Sequence, residues 1–182
     1  VLCMSIITKA KIWNVDLRNE FPSHDLIFLE LITDDGHVGL GEIALAYGYG
    51  AQAAIVLCEQ IVKKFVIGRS ALESKAIWCD IEKKTYWAEG RNLLIRAVQS
   101  AVDIAVWDLK GHILNQPVYN LLGGKVREHV ELYANHWYGE VYTPKDYAKK
   151  AKRVVEDGCF GLKFDPFRMS PEGVFSVPPK TL

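Results

Sequence analysis

An α+β domain followed by the opening of an α/β array is the fold class that these 182 residues predict. Three observations carry that expectation. The first quarter alternates apolar with polar or small residues and turns at Asp34-Asp35-Gly36, the pattern of antiparallel strands. The middle holds three stretches with apolar residues at helical spacing. After Pro117 a strand pattern, an amphipathic helix and a second strand pattern follow with short links, which implies parallel pairing.

Taken in order, Met4 to Leu17 reads as the first strand, broken by the charged, Pro22-containing run Arg18 to Asp25. LIFLELIT, Leu26 to Thr33, is the second. Gly36 can take positive φ between two β segments, so HVGLGEIAL returns as the third. The result is a three-stranded antiparallel meander with a glycine-rich loop, AYGYG, at its end. AQAAIVLCEQIVKKFVIG is a helix closing on Gly68. ALESKAIWCDIEKKTYW is a second, with Ile77, Ile81 and Tyr86 near one face. Arg91 to Leu114 is the longest and is apolar nearly all round, so it should lie between two layers. PVYNLLGG is a helical turn stopped by Gly123-Gly124. VELYANHW and FGLKFDPF are strands flanking a helix that starts at Pro144, with Thr143 as its N-cap. The last fifteen residues carry three prolines and no periodicity. Two parallel strands do not finish a sheet, so each keeps an open edge.

Composition excludes several classes of function. Net charge is zero with 24% charged residues, which gives no basic patch for nucleic acid or for an anionic membrane. No apolar run reaches the length of a membrane span, and the opening residues lack the features of a signal peptide. Cys3, Cys58, Cys79 and Cys159 form no CxxC and read as reduced packing thiols, so a cytoplasmic protein is expected. His24, His37, His112, His129 and His136 form no HxH or HxxxH set, so no metal site is expected from them.

Some residues carry chemistry. Lys163 and Asp165, two apart on a strand, point to the same side; the plain structural reading is a salt bridge at a strand end. Asn135, His136 and Trp137 end the preceding strand. Trp137 suits an apolar wall and His136 a hydrogen-bonding group. Asp103 and Asp108 on the long helix are expected to be partners of an arginine or a backbone amide.

In order and spacing, SAVDIAVWDLKGHILNQPVYNLLGGKVREHVELYA (Ser100 to Ala134), TDDGHVGLGE (Thr33 to Glu42) and GLKFDPF resemble the enolase superfamily, in its mandelate racemase and muconate-lactonizing branch. The resemblance covers residues 4 to about 168. It implies an α+β capping domain over residues 1–126 and the first βαβ of a TIM-like (β/α) barrel, truncated, over 127–182. Within the branch, YANHW and KFDPF look most like sugar-acid dehydratases of the galactonate dehydratase type. Those remove the proton next to a carboxylate and eliminate water, with Mg²⁺ held by carboxylates on the third to fifth barrel strands. Racemases and cycloisomerases of the branch carry Lys-x-Lys where this chain has Lys163 and Asp165. The resemblance therefore implies Lys163 and Asp165 as the catalytic pair, with Lys163 binding the substrate carboxylate or the developing enediolate as a desolvated cation.

Two loops of the capping domain, Arg18 to Asp25 and Leu45 to Tyr49, would close over substrate with Phe21, His24 and Tyr47; Asn135, His136 and Trp137 would line the pocket. The Mg²⁺ ligands and the base histidine of the third strand have no counterpart in this sequence, so no catalysis is expected of the 182 residues alone. A small sugar acid is the implied partner, and a homo-oligomer stays open. Two alternatives stand beside this reading: a non-catalytic interaction protein built on the capping domain, and a racemase or cycloisomerase of the same branch.

Overall fold

The structure is a computed structural model that describes residues 5–16, 25–45, 50–86, 92–139 and 143–164. The chain divides into two compact units, Val1–Lys125 and Val126–Leu182.

Unit 1 opens with the expected meander: β1 (Ile7–Asp16), β2 (Asp25–Thr33) and β3 (Val38–Ile43), antiparallel in the order β1-β2-β3. Alternation sorts the side chains. Ile27, Leu29 and Leu31 point inward and are fully buried, while the intervening residues face out. The β2–β3 turn has Gly36 at φ +90° with open space around it. Asp34 and Asp35 tie that turn to the start of β1. Asp34 Oδ1 accepts from the Ile6 amide at 2.9 Å, and the Asp34 amide donates to the Ile6 carbonyl at 2.8 Å. Asp35 accepts from Ser5 Oγ at 2.6 Å and from the Thr33 hydroxyl, and it pairs with His37 Nδ1 at 3.0 Å. The hydrogen bonds from His37, Ser5 and Thr33 hold its carboxyl well below the usual carboxylate range.

Three helices cover the inner face: α1 (Ala51–Phe65), α2 (Ser74–Lys84) and α3 (Leu93–Leu114). α1 ends three residues earlier than Gly68 suggests. Gly68, at φ +84°, instead hands the chain to β1, its amide donating to the Ile7 carbonyl at 2.8 Å. Ile77 and Ile81 of α2 are buried as expected, but Tyr86 is not on their face: the helix stops at Lys84 and the ring is half exposed.

α3 approaches β3 at backbone distance. A Cβ at Gly39 would lie 2.3 Å from the Ala105 carbonyl oxygen, and one at Gly41 would lie 2.0 Å from that of Ala101. The glycines of HVGLGE and the alanines of α3 are therefore one feature: small residues on both sides let helix and strand touch. α3 then finishes the free edge of β3 with side chains. Asp108 Oδ2 accepts from the Leu40 amide at 2.9 Å, and His112 Nδ1 donates to the Val38 carbonyl at 2.7 Å. That role for Asp108 is the backbone partnership expected of it. Asp103 differs: it hydrogen-bonds the Trp107 side chain, and burial pushes its carboxyl up against the opposing pull of Lys75.

The all-round apolarity of α3 is only partly matched by cover. Its sheet-facing residues are buried and α1 and α2 pack alongside, yet Ile104 remains about half exposed. Asn92 caps the N-terminus, accepting from the Ile95 amide, and Asn115 ends the helix in the left-handed region. The short α4 (Val118–Leu121) follows, stopped by Gly123 and Gly124, both at positive φ.

In unit 2, β4 (Tyr133–Ala134) and β5 (Gly161–Leu162) pair in parallel across α5 (Pro144–Glu156), the predicted βαβ order. Thr143 caps α5 as expected: its hydroxyl accepts from the Asp146 amide at 3.3 Å and donates to the Asp146 carboxylate at 2.7 Å. The described ladder is two residues long, shorter than the sequence pattern. β4 stops because His136, at φ +55°, turns out of the extended conformation.

Gly41→Ala should destabilise unit 1 by about 3 kcal/mol, because the new methyl meets helix backbone that cannot step aside. Gly36→Ala, which meets open space, should cost only about 1 kcal/mol from its positive φ. Urea unfolding of both variants checks the contrast, and equal losses would contradict the close approach. The pH profile offers a second check. Because the folded carboxyl of Asp35 lies below its ordinary value of 3.8, its contribution is complete above that pH and is lost as pH falls below it. Asp35→Asn should flatten that acid limb of the stability profile; an unchanged limb would show that the hairpin network is not formed.

Candidate functional site

The expected site residues divide into two groups. Phe21, His24, Tyr47 and Asp165 lie outside the described residues. The strand register nevertheless fixes where the two capping-domain loops are anchored. Asp16 pairs with Asp25, and Ile27 with Ile43, so both segments leave the same end of the sheet, opposite the Thr33–Gly36 turn.

Asn135, His136, Trp137 and Lys163 are described, and they meet where β4 and β5 end. The Lys163 amide donates to the Ala134 carbonyl at 2.9 Å, the last rung between the two strands. The Lys163 carbonyl accepts from Trp137 Nε1 at 2.9 Å. Both polar groups of the Lys163 main chain are therefore held by the β4 side. Asn135 Oδ1 accepts from the His136 amide at 3.0 Å, which supports the left-handed turn, and the His136 ring is exposed.

Lys163 is exposed, so the described residues do not desolvate its ammonium. Trp137 belongs to an aromatic cluster. Its ring packs edge-on to Tyr138, Tyr147 and Phe164, with centroids 5.5, 6.2 and 5.9 Å away.

Three members of that aromatic cluster were not among the expected site residues. Tyr138 and Phe164 adjoin expected ones in sequence. Tyr147 is the only aromatic residue on the otherwise charged α5, and that is the signal that could have marked it. Its hydroxyl is buried and has no hydrogen-bond partner among the described residues. Lys150 Nζ donates to the Tyr138 carbonyl at 2.6 Å, which fastens the turn after Trp137 to α5. Beside the strands an open cleft of about 610 Å³ is lined by Leu132, Tyr133, Phe160, Leu162 and Phe164, with Glu131 and Lys163 as its charged members. Such a cleft can hold an apolar body and an anion next to Lys163. Among the described residues no three His, Cys, Asp or Glu side chains converge on one point. Nor is any described helix long and apolar enough to cross a membrane.

Residues 18–123 match the mandelate racemase / muconate lactonizing enzyme N-terminal domain. The chain belongs to this family. Unit 1 is its capping domain, with the three-stranded sheet and helices that the sequence predicts. Among family relatives, the D-gluconate dehydratase of Thermoproteus tenax is 37% identical over 150 residues, covering 82% of this chain and 29% of that protein. The D-gluconate/D-galactonate dehydratase of Picrophilus torridus is 29% identical over 146 residues, 80% of this chain and 36% of that protein. A solved member of the enolase superfamily from Salmonella Typhimurium superposes with a TM-score of 0.80 at 33% identity, over 93% of this chain and 44% of that one. The chain thus spans about a third of the length of these curated relatives and less than half of the solved one.

Proposed function

We propose that this chain forms the N-terminal part of a sugar-acid dehydratase, with residues 1–126 as capping domain and 127–182 as the opening of a (β/α) barrel. The observation that carries the reading is the similarity to two dehydratases acting on gluconate or galactonate, each extending over four-fifths of this chain. It is supported by the placement of Lys163 at the C-terminal end of a parallel strand, where barrel enzymes keep their chemistry. It also accounts for the apolar surface of unit 2. Leu132 and Phe160 are 77% and 80% exposed, positions that further strands and helices of a barrel would cover.

In this reading Lys163 receives the carboxylate of a hydroxylated acid, and its positive charge makes the neighbouring C–H more acidic by stabilising the developing enediolate. Completion of the barrel would exclude water around it and supply the desolvation that the described residues lack. Asp165, in place of a second lysine, leaves proton removal to a group outside these residues and favours elimination over racemisation. His136 and Asn135 stand near enough in sequence to bond substrate hydroxyls. Phe21, His24 and Tyr47 of the two capping-domain loops are proposed to contact substrate. Mg²⁺, which the family implies, has no ligand set among the described residues, and its contribution belongs to the remainder of the enzyme.

The test is chemical. The protein, expressed at the length its source makes, is incubated with Mg²⁺ and either D-gluconate or D-galactonate, and 2-keto-3-deoxy acid is measured. Product is expected, together with a loss of at least about a hundredfold on Lys163→Met and no product from the 182 residues alone. Turnover by the 182 residues, or epimerised acid without dehydration, would contradict the reading.

A further inference from the structure

We propose that Trp137 is a positioning residue for Lys163, acting through the main chain and without touching substrate. The inference rests on the role given to Lys163 above. The β4–β5 ladder ends at the bond from the Lys163 amide to the Ala134 carbonyl. Beyond that rung β4 has no extended backbone left to offer, because His136 turns to φ +55°. Among the described residues β4 then offers no strand partner to the next polar group along, the Lys163 carbonyl. The Trp137 indole N–H takes that place at 2.9 Å.

An indole can do so only if its ring is held still. Three edge-on aromatic contacts hold it: Tyr138 at 88°, Tyr147 at 81° and Phe164 at 68° between planes. They come from the β4 turn, from α5 and from the end of β5, so each element of the βαβ unit fixes the ring. With both its amide and its carbonyl bonded, the Lys163 residue has little freedom in φ and ψ, and the direction of its Cα–Cβ bond is set. A four-carbon side chain starting from a fixed bond places its ammonium far more reproducibly than one on a loose strand end. The unpaired end of β5 is thus made rigid where the proposed reaction needs a placed charge.

The experiment is a double-mutant cycle on the protein at its source length, with kcat/KM for the sugar acid as readout. Trp137→Phe keeps a ring but deletes the donor, and it should lower kcat/KM roughly 10- to 100-fold. In a Lys163→Met background the same change should cost nothing further, since the group it positions is gone. If the Phe variant fails to fold, 3-benzothienylalanine at position 137, with sulfur in place of the indole N–H, carries the same expectation. A Trp137 variant within about twofold of wild type, or an equal loss with and without Lys163, would overturn the proposal. A Lys163→Met variant with undiminished turnover would overturn the dehydratase reading of Lys163, and this proposal with it. An undiminished Trp137 variant beside a crippled Lys163→Met would overturn the proposal alone.

Discussion

The contact between the backbone of α3 and the glycine face of β3 is the constraint on which unit 1 depends. Gly39 and Gly41 leave no room for a methyl group, since Ala105 and Ala101 carbonyl oxygens occupy the space where a Cβ would sit. That closeness puts Val98, Val102, Val106 and Leu109 of α3 into full contact with the core. Burial of each such side chain is worth about 1.5–3 kcal/mol. It also brings Asp108 and His112 within hydrogen-bonding distance of the outer edge of β3. An edge strand with free amides and carbonyls invites pairing with other chains. Here the helix that supplies the core also closes that edge, and a larger residue at either glycine would undo both.

The other end of the same sequence run has a different task. Thr33, Asp34, Asp35 and His37 bind the start of β1 and each other, so TDDGHVGLGE serves first to close a hairpin and then to admit a helix. A motif that marks the family is here a folding device. The tied hairpin lies at the end of the sheet opposite the anchors of the two capping-domain loops.

Much of unit 1 was legible because its signals are local and periodic. Alternation gave the three strands, and helical spacing gave α1, α2 and α3 to within a few residues. What escaped depended on distance between segments. Nothing local tells whether Gly68 caps a helix or meets β1, or that α2 stops before Tyr86. The Gly-Ala contact was invisible because its partners are some sixty residues apart. In unit 2 the order of elements was legible and the residues at their ends less so. The N–H bond from Trp137 to Lys163 spans 26 residues and has no local signal in the sequence. Among the described residues Lys163 is exposed, and the desolvation that the resemblance implies is a property of the proposed complete enzyme.

Amide hydrogen exchange under native conditions tests the central constraint most directly. If α3 and β3 form one inseparable contact, the amides of Leu31, Val102 and Leu109 should exchange only through global unfolding. The Leu40 amide, bound to Asp108 on the strand's outer edge, should be as slow as they are, with one common free energy. Rapid exchange at Leu40, or opening of α3 at lower free energy than the sheet, would contradict it. That result would mean the helix rests on the glycine face without holding the unit together.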